Sequence, residues 1–302
     1  MNFLSIYCVA VIMMLPFHSS FCQTTTQLST DIFLADMKIE DGKFSFGKMV
    51  NITNCPGYDN QPFFALNGKG ILFSSIREDN QADIYFYDFE KQTITCVNHT
   101  PESEYSPSEY PTYFGYSVVR VEKDGTQHVC AMEYNDSTAV EFNDPDIKNV
   151  GYFAEVAEEI DAFYILGDTL TGKPNSLKIV NYRTSEEKTI AENIGRCLKR
   201  VPIEYALSFV DKSSNNKWVI KEYFYLNGTI KTIAQTIPGK EDYSWTPPGI
   251  PLMGSGSKLY NFHPGTDTKW QEIADFKKDG ITDISRIAVN SGGYKIAIVS
   301  TR

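Results

Sequence analysis

The residues of this sequence that are best suited to bind a ligand lie just before, or at the start of, six similar strand segments. They combine carboxylates, amides, tyrosines and cations, which together can hold a peptide, a sugar or a hydrated cation. Because loops on a rigid scaffold carry function more often than strands do, these positions are the first candidates for a site. The predicted site residues are Asp59, Asn60, Glu104, Tyr105, Asn149, Tyr152, Arg196, Lys199, Asp242, Tyr243, Asp283 and Arg286.

The sequence lacks the residues of a nucleophilic hydrolase. It has no Gly-x-Ser-x-Gly motif, and beyond the N-terminal apolar segment its only histidines are His99, His128 and His263. Each of these follows or lies on an outer strand segment, so we expect surface or packing roles for them. The Gly-Ser-Gly-Ser run at 254–257 precedes a strand and not a helix, which favours a turn over a phosphate loop.

Metal binding is an open alternative for the carboxylates. If three of them converged on one axis they would suit Ca²⁺, which takes six to eight oxygen ligands. If they do not converge, we expect these carboxylates to cap turns and to line a channel filled with water. We predict no cofactor. Four cysteines outside the N-terminal segment lack the CxxC spacing of a zinc site and are either buried thiols or a disulfide pair. They are Cys55, Cys96, Cys130 and Cys197.

The candidate residues are positioned by a strand motif that recurs about every 45 residues. Several strand signals per unit at that period are typical of a β-propeller with four-stranded blades. Six units therefore predict an all-β, six-bladed propeller with antiparallel blades, formed by residues 23–302 as a single domain. The apolar centres of the predicted second strands are Leu72, Val118, Phe163, Leu207, Leu252 and Ile296.

The last repeat contains only two strand signals before the chain ends. The two missing strands are available near the other end, in the segments DIFLADMKI and FSFGKMVNIT. A ring assembled in this way has no open edge, which would otherwise template aggregation. We therefore expect the last blade to be closed by N- and C-terminal strands.

The first 22 residues have the composition of a signal peptide. They carry no charged side chain, and the run FLSIYCVAVIMMLPF has the length of an apolar signal core. Ser20 and Cys22 occupy the small-residue positions of a cleavage site before Gln23. We expect an exported product, periplasmic or secreted, with no membrane span after signal removal; an uncleaved anchor or a lipoprotein is the alternative.

The overall charge restricts the partners. A formal net charge of −10 and a pI near 5.0 argue against nucleic acid and anionic membranes, which would repel the chain.

The first complete repeat, QPFFALNGKGILFSSIREDNQADIYFYD, resembles the WD-like repeat of TolB-type propellers. The positions that carry the resemblance are Pro62, Asn67, Gly68, Ser75, Arg77, Ile84 and Tyr85. It covers essentially the whole chain after the signal segment and implies the propeller fold of an exported bacterial family without an established activity. Asn67 replaces the family's turn Asp, and there is no room for TolB's additional N-terminal domain between Gln23 and Asp31. TolB's own role is therefore not transferred.

These observations favour a non-catalytic, exported scaffold that binds a protein, peptide or glycan of the cell envelope on its channel face. We expect a monomer. The alternative is a metal-assisted carbohydrate lyase or hydrolase with its site in the central channel, which the scarcity of histidine disfavours. A third reading is a module that acts beside a separate catalytic subunit.

Overall fold

The computed structural model describes residues 29–302 apart from 78, 110–114, 135, 143–145, 203 and 216, and gives only the backbone of 136–142. The predicted signal segment Met1–Cys22 lies outside the described residues. Twenty-five β-strands and one 3₁₀ turn, Lys277–Asp279, make up the regular structure of the described part. There, no helix is both long and apolar enough to cross a membrane.

Four groups of consecutive strands form separate antiparallel sheets of four strands each. The first contains β8 (Ser103–Ser108), β9 (Tyr116–Val121), β10 (Gln127–Glu133) and β11 (Asp136–Phe142). The second contains β12 (Val150–Ala157), β13 (Ile160–Ile165), β14 (Ser176–Asn181) and β15 (Glu186–Glu192). The third contains β16 (Ile194–Arg200), β17 (Ala206–Asp211), β18 (Val219–Phe224) and β19 (Thr229–Gln235). The fourth contains β20 (Tyr243–Trp245), β21 (Pro251–Ser255), β22 (Lys258–Asn261) and β23 (Gln271–Asp275).

The remaining nine strands form one sheet that includes both ends of the described chain, in the order β24-β25-β1-β4-β5-β6-β7, with β2 and β3 also paired to β1. From the N-terminal side these strands are β1 (Thr30–Glu40), β2 (Lys43–Phe46), β3 (Val50–Asn51), β4 (Tyr58–Phe64), β5 (Gly70–Ile76), β6 (Ala82–Asp88) and β7 (Thr93–Cys96). From the C-terminal side they are β24 (Ile284–Val289) and β25 (Lys295–Thr301).

The predicted pairing between the two ends of the chain is confirmed. Strand β1 runs antiparallel to β25 over seven residue pairs, from Thr30 opposite Thr301 to Asp36 opposite Lys295. Strand β2 lies on β1 through four further pairs, which places β24, β25, β1 and β2 in one antiparallel series. Both segments that the sequence assigned to closure thus contribute strands.

The first strands of the groups form a closed ring. Strands β4, β8, β12, β16, β20 and β24 contact one another in this order, and β24 contacts β4. These strands therefore surround a central channel, and the residues at their starts share one end of it.

The hydrophobic core lies between neighbouring sheets. Leu177 of β14 packs in one cluster with Leu207 and Phe209 of β17, and Leu252 of β21 packs with Ile298 of β25. The second strand of each group carries the most apolar segment and is covered on both faces, as expected for a strand inside stacked sheets. All six predicted centres of second strands, from Leu72 to Ile296, are at most 1% exposed.

The four described cysteines are free thiols, Cys130 and Cys197 being buried. No disulfide joins two sheets among the described residues, so the fold depends on packing and on strand pairing.

Candidate functional site

Six residues at equivalent positions of the first strands surround one end of the channel, and we call them the channel ring. Each lies between the position just before its strand and the third residue of that strand, where neighbouring first strands approach one another. Contacts within the ring join strands that are distant in sequence, such as β12 and β24. The channel ring consists of Tyr58, Tyr105, Tyr152, Arg196, Asp242 and Arg286.

Two arginines of the ring share one carboxylate. The Arg196 guanidinium donates to Asp242 Oδ2 through both Nε, at 2.9 Å, and Nη2. On the other side of the carboxylate, Arg286 Nε lies 3.7 Å from Asp242 Oδ1. The side chains of Asp242 and Arg286 are only 9% and 16% exposed. Arg196 is 37% exposed, and its Nε also lies 3.8 Å from Glu241, a carboxylate outside the ring that pairs with Lys212 Nζ at 3.2 Å. The ring itself therefore holds two cations against one anion, of which Asp242 and Arg286 are largely withdrawn from water.

Both arginines stay charged. Burial by itself lowers the pKa of Arg286, but the Asp242 carboxylate together with Tyr152 and Tyr58 outweighs this effect and holds the pKa above its usual value. The same balance raises the pKa of Arg196, against which the nearby Arg286 cation acts in the opposite direction. This opposition is electrostatic repulsion between the two guanidinium groups, and a second anion would relieve it.

The three tyrosines complete the ring with hydroxyl groups. Arg286 Nη2 donates to Tyr152 Oη at 3.3 Å, and the guanidinium carbon lies 5.3 Å from the centre of the Tyr152 ring. Tyr58 and Tyr105 meet edge to face, with ring centres 6.4 Å apart. Burial raises the pKa of Tyr58 and Tyr105, so both phenols stay protonated and able to donate.

The charged part of the ring separates two cavities. Arg196, Asp242 and Arg286 line both a cavity of about 350 Å³ and a smaller one of about 140 Å³. The larger cavity is bounded by aromatic and apolar surface, including Phe63 and Phe153, and by further polar groups. A ligand in either cavity would meet the same two guanidinium groups.

Two β-bulges shape the wall of the larger cavity. The register of β4 on β5 shifts between Asn60 and Phe63, and that of β8 on β9 shifts after Tyr105. Within these shifts Gln61 and Ser106 adopt positive φ angles of 58° and 55°, which side chains other than glycine rarely do. The backbone N–H of Ser106 donates to Gln61 Oε1 at 2.8 Å, so the two bulges support each other. Bulges of this kind redirect side chains beside functional sites.

The structure brings together five of the residues that the sequence predicted for the site, namely Tyr105, Tyr152, Arg196, Asp242 and Arg286. Lys199 lines the larger cavity. Asp283 pairs with Lys240 Nζ at 2.7 Å on the wall of the smaller cavity.

Two predicted carboxylates are bound inside the sheets and do not belong to the ring. Asp59 is 1% exposed and accepts hydrogen bonds from Ser75 Oγ at 2.7 Å and from Arg77. Glu104 is fully buried and accepts from Asn98 Nδ2 at 2.8 Å and from Thr100. Since each has its own partners, neither joins Asp242 in the carboxylate cluster that calcium binding would require.

Three further predicted residues have structural surroundings. Asn60 is buried and accepts a hydrogen bond from the backbone N–H of Gln61. The Tyr243 side chain is fully buried and its hydroxyl donates to Ser208 Oγ at 2.8 Å. Asn149 lies exposed in the turn before β12 with φ at 60°.

Tyr58 was not among the predicted site residues, although the sequence contains a signal for it. Tyr58, Tyr105 and Tyr152 recur at a spacing of about 47 residues, close to the repeat length, and each lies within the first three residues of an innermost strand. A search for one residue type at one position of the repeat identifies all three.

No protein-family model matches the chain, and no curated protein sequence matches it. Solved structures, in contrast, match the chain in fold. A protein from Agrobacterium tumefaciens described as a TolB is 10% identical over 91% of this chain and 99% of that one, with a TM-score of 0.67. TolB from Acinetobacter baumannii is 10% identical over 89% of this chain and 64% of that one, with a TM-score of 0.56.

Oligogalacturonate lyase from Vibrio parahaemolyticus is similar to the same extent, with 12% identity over 92% of this chain and 94% of that one and a TM-score of 0.56. At such identities the similarity concerns the fold. The chain has the fold of a TolB-like β-propeller, and its site must be interpreted from its own residues.

Proposed function

We propose that this protein is an exported, non-catalytic binding propeller whose channel ring holds a carboxylate-bearing segment of a protein, peptide or glycan partner. The observation that carries the proposal is an excess of cations around the buried Arg286. The ring holds two guanidinium groups and one carboxylate, and with the neighbouring pair of Glu241 and Lys212 the count is three cations to two carboxylates. Buried charges are ordinarily paired, because an uncompensated charge is costly away from water. An incoming carboxylate supplies the missing partner.

The donors that would hold the ligand are in place. Arg286 Nε is buried and makes no hydrogen bond to any described residue. Guanidinium groups form paired, charge-assisted hydrogen bonds with carboxylates, which are stronger than neutral ones. Tyr58 and Tyr105 add hydroxyl donors and aromatic faces, which suit the backbone of a peptide or the ring of a sugar.

The surrounding architecture is part of the same proposal. The nine-stranded sheet is interpreted as two blades, β24-β25-β1-β2 and β4 to β7, which together with the four separate sheets make six. The propeller then extends over residues 23–302 as a single domain. Cleavage before Gln23 would release it into the periplasm or the medium as a monomer that needs no cofactor to bind.

The test is a binding screen with two classes of probe: peptides ending in a free carboxylate and oligosaccharides containing uronic acid. We expect retention of at least one class, weakened by amidation of the peptide or esterification of the sugar. Replacing Arg286 by Gln should reduce affinity at least tenfold, since a charge-assisted hydrogen bond contributes about 1.5–3 kcal/mol. Arg183→Gln is the matched control, because that arginine is 73% exposed. Binding that ignores the carboxylate, or equal loss in both variants, would refute the proposal.

The alternative function is a metal-assisted carbohydrate lyase or hydrolase in the channel. It draws on the shared fold of oligogalacturonate lyase. The channel ring itself offers one carboxylate and no histidine, a weak donor set for a metal. Turnover of oligogalacturonate by the purified protein, lost with a chelator and in Asp242→Asn, would replace binding by catalysis.

A further inference from the structure

A second cluster of chemically active side chains lies away from the channel ring, on the sheet formed by β4 to β7. Asp79 belongs to the loop between β5 and β6, Asp83 to β6, and His99 to the segment after β7. One donor atom from each of the three lies within 4.8 Å of the other two. Among the residues that the structure describes, no other group of three such donors is this close together.

Asp83 is the fixed member of the cluster. Its carboxylate is 4% exposed, accepts from Gln81 Nε2 at 3.2 Å and lies 2.9 Å from His99 Nδ1. Gln81 Nε2 also donates to the backbone oxygen of Glu102 at 2.8 Å. This amide therefore ties the β5–β6 loop to the segment after β7, and the donors are held together by contacts outside the cluster.

An ion pair between His99 and Asp83 does not account for the whole arrangement. Asp79 adds a second carboxylate, with an oxygen within 4.8 Å of the ligand atoms of Asp83 and His99. Two carboxylate oxygens and one imidazole nitrogen thus converge on one small volume.

We propose that Asp79, Asp83 and His99 form a binding site for a divalent transition metal of the Zn²⁺ class. Zn²⁺ accepts imidazole nitrogen and carboxylate oxygen at roughly 2.0–2.2 Å, which places tetrahedral ligands about 3.3 Å apart. Asp79 and His99 are exposed side chains that can close around an ion while Asp83 stays in place. Three protein ligands leave a fourth position for water.

The imidazole directs the choice of metal. Carboxylates alone suit Ca²⁺ or Mg²⁺, whereas a histidine nitrogen favours Zn²⁺ and its neighbours in the first transition row. The site lies where the chain passes from β7 to β8, the strand that carries Tyr105. A bound ion would fix this connection, whether or not the channel ring binds a carboxylate.

The test is calorimetric titration of untagged protein with Zn²⁺, and separately with Ca²⁺, for the parent and three variants. We expect one Zn²⁺ per chain, with affinity at least tenfold lower in His99→Ala and in Asp79→Asn. Loss of an outer partner alone typically weakens metal binding 10- to 100-fold, so loss of a direct ligand should reach this range. His263→Ala, which removes a histidine outside the cluster, should bind as the parent does.

The same variants show where an ion binds. Co²⁺ substituted for Zn²⁺ should give an absorption spectrum that His99→Ala abolishes and His263→Ala leaves unchanged. Both cluster substitutions replace exposed side chains, so folding can be checked by the unfolding midpoint in the absence of metal. No saturable Zn²⁺ binding, unchanged binding in His99→Ala, or binding of Ca²⁺ in preference to Zn²⁺ would overturn the proposal.

Discussion

Arginine and aspartate form ion pairs in two regions of the molecule, the channel ring and the contact between the two ends of the chain. The two regions contain these residue types in different proportions. At the ends, which we call the seam, Arg302 donates to Asp31 through Nε at 2.7 Å and through Nη2 at 3.1 Å. Asn51 Nδ2 donates to the same carboxylate at 2.9 Å. One cation thus faces one anion, and neutral donors complete the anion's coordination.

In the ring, by contrast, one carboxylate faces two guanidinium groups, and Arg286 Nε has no hydrogen-bond partner among the described residues. A balanced pair such as Asp31 and Arg302 stabilises the closure of the sheet. In the proposed function, the unbalanced set of the ring is completed by a partner from outside, because an excess buried charge is costly without one. The ratio of charges, and not the presence of charge, would then distinguish the structural pair from the proposed binding site.

The largest effect is expected from removing the seam altogether. Deletion of residues 31–53 takes away most of β1 and all of β2 and β3. Strand β25 then keeps β24 on one side but loses β1 on the other, and Ile296 and Ile298 become exposed. Since an open edge and its apolar face would then meet water, we expect the cooperative unfolding transition to disappear. The measurement is thermal unfolding followed by circular dichroism. A truncated protein that melts like the parent would show that the ring is held closed by other means.

Glu104, a buried carboxyl that shares the single cation of Arg120 with Glu102 and Glu122, extends the comparison. Burial raises the pKa of Glu104 from 4.5 to about 7, against the opposing effects of Thr100 and Arg120. Between these values the folded protein holds a proton that the unfolded chain has released, so stability falls as pH rises from about 4.5 to about 7. Glu104→Gln keeps the neutral form at every pH and should remove a loss of roughly 1–3 kcal/mol.

The check is denaturant unfolding of the parent and of Glu104→Gln at several pH values between 5 and 8. Glu187→Gln serves as the control, because its side chain is exposed and forms a surface ion pair with Lys178. An identical slope of stability against pH in the parent and in Glu104→Gln would show that Glu104 ionises normally.

The sequence predicted the strands and their closure because these depend on local patterns. Apolar runs such as the one around Leu72, separated by Gly and Asn turns, recur at a constant length and define strands wherever the chain goes. The segment beginning at Asp31 was assigned to closure because the last repeat lacked two strands, and β1 pairs with β25 as expected.

It was harder to predict which side chains at the strand starts point into the channel and which are buried between the sheets. Successive residues of a strand point to opposite sides, so an error of one position exchanges a channel residue for a buried one. Asp59 was chosen although Tyr58 belongs to the ring, and Tyr243 was chosen together with Asp242. The bulges after Asn60 and Tyr105 shift the alternation further, and no local signal marks them. The contact of Arg286 with Tyr152 joins residues 134 positions apart and depends on the closed ring.

The most direct test of the central claim replaces one arginine by glutamine in each region, Arg302 at the seam and Arg286 in the channel ring. Arg302→Gln leaves the buried Asp31 without its cation, whereas Arg286→Gln leaves Asp242 still bonded to Arg196. We predict that Arg302→Gln lowers the thermal unfolding midpoint and leaves capture of the carboxylate probe unchanged. Arg286→Gln should reduce capture at least tenfold while its midpoint stays within about 2 °C of the parent. If Arg286→Gln instead destabilised the protein as much as Arg302→Gln and bound the probe normally, the ring would be a structural ion pair and the proposed site would be wrong.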